Sequence, residues 1–143
     1  MRDIMDWKYC EDKFIRKIER DPAKIRSIVE TAEMRLKYVR TININSDTVS
    51  FVVEGYYEVI KDLLVALLLS HGLRSKNHQC LISYFYNMNS DYEAEAHLIS
   101  QMSYLRNRLD YYGEFIELEF YEKNKSEFER IINLLKSLIV KQK

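Results

Sequence analysis

The chain has 143 residues, 47% of them hydrophobic and 31% charged, a mix that fits one globular domain over residues 1–143 and excludes a disordered chain. Lys and Arg total 22, as do Asp and Glu, so no net field draws the protein toward polyanions; a local basic patch is the remaining route to nucleic acid. Three glycines and one proline are too few for the turns of a strand-rich fold, and they predict long helices with few connections.

The N-terminal stretch MRDIMDWKYCEDK carries Asp3, Asp6 and Lys8 where a signal peptide needs an apolar core. The longest apolar run, residues 63–69, is too short to span a bilayer. The expectation is a soluble cytoplasmic protein with no membrane contact. Cys10 and Cys80 lie far apart and form no CxxC pair, so two idle or buried thiols in a reduced compartment are expected ahead of a disulfide or metal site.

A first helix is predicted over residues 4–19, with Ile4, Trp7, Phe14 and Ile18 facing inward. Asp21 and Pro22 supply an N-cap and a first helical residue. Ile25, Ile28, Val29, Ala32, Leu36 and Val39 then step by three and four along one helical face. The polar run NINSD, residues 43–47, closes that helix.

Residues 48–71, TVSFVVEGYYEVIKDLLVALLLSH, are apolar around nearly the whole circumference and predict a central helix covered on most sides. Gly72 stands where a left-handed C-terminal cap belongs. Ser75 is expected to cap a shorter helix ending near Met88, with Leu81, Ile82 and Phe85 inward. Ser90 and Glu93 have capping-box spacing, so a fifth helix is expected from there to Tyr112, with Leu98, Met102, Leu105, Leu109 and Tyr112 as its stripe and Gly113 as its stop.

The remainder, residues 114–143, repeats a helical face at Phe128, Ile131, Ile132, Leu135, Leu138 and Ile139. A second capping-box match at Ser126 and Glu129 predicts a break near Asn124. FIELEF, residues 115–120, alternates like a strand but has no partner in view and is read as helical. The fold expected is all-α, an up-and-down antiparallel bundle of five to six helices.

No metal motif joins His71, His78 and His97, and glycines at 55, 72 and 113 cannot build a phosphate loop, so no metal and no cofactor are expected. The eleven tyrosines fit bundle cores and interfaces better than base stacking.

Residues 104–115 read YLRNRLDYYGEF. On a helix Arg106 and Asp110 are i,i+4 neighbours, as are Asn107 and Tyr111, and with Ser103 they form one polar patch beside the apolar stripe. The plain reading is an intrahelical ion pair with an amphipathic tyrosine. The order of YYEVIKDLLVALLLSHG, a short loop, SKNHQCLISYF and LRNRLDYYG, over roughly residues 51–115, resembles the HEPN family (higher eukaryote and prokaryote nucleotide-binding domains).

That resemblance implies a small helical bundle, commonly a homodimer. Many members are metal-independent RNases or toxins, often encoded beside a minimal nucleotidyltransferase that acts as antitoxin. Their signature is an arginine, a polar follower, and a histidine a short distance on. Arg106 and Asn107 match the first two; Tyr111, Tyr112 or Gly113 stands in the histidine's place. Histidine, with a pKa of about 6.5, can accept and return a proton at neutral pH, whereas tyrosine, at about 10, is a poor base. In some toxin members a tyrosine just past the histidine receives AMP; here that position falls on Gly113, with Tyr111 or Tyr112 as approximate substitutes.

The leading expectation is therefore a HEPN-like homodimer that binds a nucleotide, RNA or a nucleotidyltransferase partner through Arg106, Asn107, Asp110, Tyr111 and Tyr112, with little or no catalysis. The alternatives are a metal-independent endoribonuclease toxin and a structural dimerisation module. In the endoribonuclease, Arg106 and Tyr111 are the catalytic candidates, with His97 or His78 as a substitute base.

Overall fold

The computed structural model describes residues 3–140. Among them are six helices, one short 3-10 helix (Ser90–Tyr92) and one two-stranded ribbon. The helices are α1 (Trp7–Lys13), α2 (Pro22–Val39), α3 (Val49–Ser70), α4 (His78–Met88), α5 (Glu93–Tyr112) and α6 (Leu118–Val140); the strands are β1 (Ile15–Lys17) and β2 (Leu73–Ser75). The protein is all-α in class, as its composition implies, and no helix is long and apolar enough to cross a membrane.

Helix α3 is the axis of the bundle, and α2, α4, α5 and α6 all pack on it. At Gly55 an added Cβ would lie 2.4 Å from Val39 Cγ2, so only a bare backbone lets α2 come this near. Tyr56 fixes the other side. Its hydroxyl donates to Glu129 Oε2 at 2.7 Å, and its ring packs 5.5 Å from that of Phe128 on α6. The α6 residues expected inward, Phe128, Ile131, Ile132, Leu135, Leu138 and Ile139, are all buried.

Local signals place several helix ends. The Asp21 side chain accepts the backbone N–H of Lys24, and Pro22 opens α2. Gly72 and Gly113 stand at φ 74° and φ 65°, the left-handed geometry that ends α3 and α5.

Other ends differ from the sequence reading. The first helix stops at Lys13, because residues 15–17 leave it to pair antiparallel with residues 73–75, and Ile18 N–H continues the pairing to Gly72 O. Phe14, expected inward, is largely exposed there. Asn77, not Ser75, caps α4; its Oδ1 accepts from Gln79 N–H, while Ser75 Oγ accepts from Asn77 N–H. Asn89 caps the 3-10 turn before α5, so the Ser90 and Glu93 box does not form.

Residues 115–117 are neither helix nor strand, since Ile116 N–H is drawn 2.8 Å to the buried Ser50 Oγ and helix begins only at Leu118. Helix α6 then runs unbroken past Asn124, whose side chain donates to Phe120 O, and Glu129 is taken by Tyr56 and Arg40 instead of capping.

The two cysteines form a disulfide, which corrects the expectation of idle thiols. Cys10 and Cys80, both fully buried and 5.5 Å apart at Cα, tie α1 to the first turn of α4. The fold brings together two thiols that stand 70 positions apart in sequence.

Candidate functional site

Helix α3 is buried at every position except Phe51, Glu54, Gly55, Glu58, Lys61, Asp62 and Val65. Their spacing by three and four puts them on one stripe along nearly the whole helix. The stripe lies open between α2, which meets it at Gly55 and Asp62, and α5, which meets it at Glu58. An otherwise apolar helix thus carries its acids and its lysine on the side that its neighbours leave partly exposed.

Arg106 is the crossing point. From α5 its Nη2 reaches Glu58 Oε1 at 3.1 Å, and its Nε lies 3.1 Å from Asp110 Oδ2. That Nε is buried and its N–H is not aimed well enough to make a hydrogen bond, so the contact is one of charge. Asn107 Oδ1 stands 3.5 Å from Nη1. Glu58 is shared, since Lys61 Nζ also reaches it at 2.6 Å. Asp62 is held by Arg35 from α2 at 3.0 Å.

Glu54 completes the cluster. Partial burial, a hydrogen bond with Asp110 and the nearby negative charge of Asp110 push its carboxyl up to about 7, against the pull of Arg106. At neutral pH Glu54 is therefore only about half ionised.

Of the sequence candidates, the fold gathers Arg106, Asn107 and Asp110 and leaves out both tyrosines. Tyr111 and Tyr112 are 76% and 69% exposed, and the Tyr112 ring stacks under Arg108 at 4.5 Å, itself paired to Glu114. The expected α5 stripe is rotated: Ser100 and Ser103 are buried beside Ile99 and Met102, which turns Tyr112 outward. Ser103 thus leaves the polar patch and accepts from Gln79 Nε2 at 2.9 Å.

Glu54, Glu58, Lys61 and Asp62 were missed from sequence, although they are the polar positions of an apolar helix at helical spacing. His78, at the start of α4, sits within the field of Lys61, Glu58, Arg106 and Asp62; burial, then Lys61, lowers its pKa. His97 is elsewhere, 3.9 Å from Glu93 and packed on Tyr86. His71 bonds to the Tyr84 hydroxyl. Among the described residues no group of three or more His, Cys, Asp or Glu is arranged to hold a metal ion.

Between α2 and α3 the stripe borders a recess of about 290 Å³, with Tyr38, Ile42 and Phe51 beside Glu54 and Glu58. A roomier recess of about 420 Å³ lies between α2 and α6, away from this chemistry, and its Lys136 and Glu33 pair with each other. Chemically, the cluster can form ion pairs and take up a proton, but its arginine is already satisfied by acids. No protein-family model, no curated protein and no solved structure matches the chain.

Proposed function

We propose that this chain is a helical interaction module of HEPN-like design that pairs with a second copy of itself through the open stripe of α3. The observation that carries the reading is the engagement of Arg106 by both Glu58 and Asp110. A guanidinium held by two carboxylates is spent as a phosphate ligand, and it serves to position α5 on α3.

Charge selects the occupant. Arg35, Lys61 and Arg106 face Glu58, Asp62, Asp110 and a Glu54 that is only about half ionised at neutral pH. A patch that holds both signs and sums near zero complements its own image across a two-fold axis, and it repels neither itself nor attracts a polyanion. Exposed aromatic side chains border it: Tyr38 on α2 and Phe51 on α3. Aromatic side chains of this kind are enriched at protein interfaces.

Covalent surface labelling tests the reading. Phe51 and Tyr38 are expected to become protected as protein concentration rises, while Tyr9 on α1 stays reactive. Equal labelling at all concentrations sinks it.

One observation favours a second reading, a metal-independent endoribonuclease. His78, with its pKa lowered by burial and then by Lys61, lies in the field of Arg106 and can stand in for the histidine that the signature lacks at residues 111–113. Cleavage of RNA in EDTA that disappears in both Arg106→Ala and His78→Ala would replace the first reading with this one. Service to a nucleotidyltransferase partner belongs to the same HEPN-like proposal, whereas a nucleotide or RNA held by Arg106 does not, since Glu58 and Asp110 occupy that guanidinium. The expected cytoplasmic location does not belong to it. The Cys10–Cys80 bond weighs against a strongly reducing compartment.

A further inference from the structure

The ribbon places Arg16 directly opposite Arg74. Opposed residues of an antiparallel pair project to the same face, so two guanidinium groups share one side of a ribbon only three residues long. Like charges set opposite each other cost stability, and nothing in the fold repays it. Both arginines are exposed.

They line a recess of about 310 Å³ with Lys13, Phe14, Ser75 and Lys76, and no carboxylate contributes to its wall. Several cations elsewhere have partners: Lys8 has Glu11 and Asp12, Arg35 has Asp62, and Arg130 has Glu127 and Glu95. Lys13, Arg16, Arg74 and Lys76 form no ion pair among the described residues. Arg74 also borders a smaller recess holding Glu19 and Asp21, yet neither acid pairs with it. The Cys10–Cys80 bond fixes α1 against the first turn of α4, and so holds the Lys13 and Lys76 sides of the recess together.

Two aromatic rings stand at its edge. Phe14 lines the recess, and Tyr9 packs edge-on to it at 5.8 Å; both rings are exposed. We propose that this recess binds single-stranded nucleic acid, with Arg16 and Arg74 on backbone phosphates, Lys13 and Lys76 flanking them, and Phe14 and Tyr9 offering faces for a base. The chain's balanced overall charge does not oppose this, because screening confines the attraction to the local patch. The site is separate from the α3 stripe: Glu58 lies twelve helical residues before the end of α3 at Ser70, roughly 18 Å along the axis.

The test is fluorescence anisotropy of a short labelled oligouridine, titrated at low salt and then against salt. Arg16→Gln/Arg74→Gln is expected to weaken binding at least about tenfold and to flatten the log–log salt slope by roughly 1.4, the share of two phosphates on a single strand. Phe14→Ala is expected to weaken binding by roughly tenfold through lost stacking. Lys136→Gln, in the recess between α2 and α6, should bind like the unaltered protein, so a loss specific to the ribbon is told apart from a general loss of positive charge. The double variant should melt no lower than the unaltered protein, since it loses a repulsive pair. Independently of any variant, the oligonucleotide should shield Arg16 and Arg74 from phenylglyoxal. Absence of binding at low salt, equal binding by the double variant, or displacement by inorganic phosphate with no effect of Phe14→Ala would each overturn the proposal.

Discussion

Arg106 on α5 and Glu58 on α3 are joined by a 3.1 Å ion pair whose side chains are only 27% and 17% exposed. Partial burial makes such a pair worth more than a surface contact, and its loss leaves Glu58 with Lys61 alone. Arg106→Ala should destabilise the fold by about 1–2 kcal/mol. A double-mutant cycle with Glu58→Gln should return a coupling of about 1 kcal/mol. Additive single effects would mean that the pair is incidental.

Glu54 gives a pH dependence with a definite sign. Its carboxyl rises from 4.5 to about 7 on folding, chiefly through burial, with Asp110 and Glu58 adding repulsion and Arg106 opposing. A raised carboxyl is compatible with the fold while protonated, so its contribution is fully present below 4.5 and is lost as pH rises through about 7. Glu54→Gln should therefore be more stable than the unaltered protein at pH 8, and the two should converge near pH 4. Melting temperatures across that range decide it.

The close approach of α2 to α3 predicts that Gly55→Ala costs on the order of 1–3 kcal/mol, because its Cβ would stand 2.4 Å from Val39 Cγ2. Val39→Ala in the same chain should recover part of that loss. Urea midpoints for the single and double variants measure it, and a neutral Gly55→Ala would refute the packing account.

The disulfide predicts a dependence on redox state. Closing a loop of 70 residues restricts the unfolded chain by about 4 kcal/mol on the chain-entropy account. Reduction, or Cys10→Ser/Cys80→Ser, should lower the melting temperature markedly. It should also loosen α1 first, since Cys10 is its only buried residue. Hydrogen exchange in α1 and β1 under reducing conditions reads this directly.

What the sequence could reveal follows the range of each interaction. Asp21, Pro22 and the two left-handed glycines act within a turn of their own helix, and the α2 and α6 apolar faces repeat at helical spacing, so these are visible in one dimension. The β1 strand is not: residues 15–17 take their hydrogen bonds from residues 73–75, and nothing local distinguishes them from helix. The cysteines likewise meet only through the fold. In the site, Arg106 and Asp110 were visible as i,i+4 neighbours. Their partners Glu54 and Glu58 were not, because the rotation of α3 against α5 is set by packing. The same rotation buries Ser100 and Ser103 and sends Tyr112 into solvent, which no periodicity of apolar residues foretells.

The central claim is that the open stripe of α3 seats a second copy of the chain. Light scattering across a concentration series tests it most directly. The account predicts a mass of twice the 17.2 kDa chain for the unaltered protein, and 17.2 kDa for Phe51→Glu, a residue already 54% exposed in the single chain. A 17.2 kDa particle at every concentration, or a dimer untouched by Phe51→Glu, would contradict it.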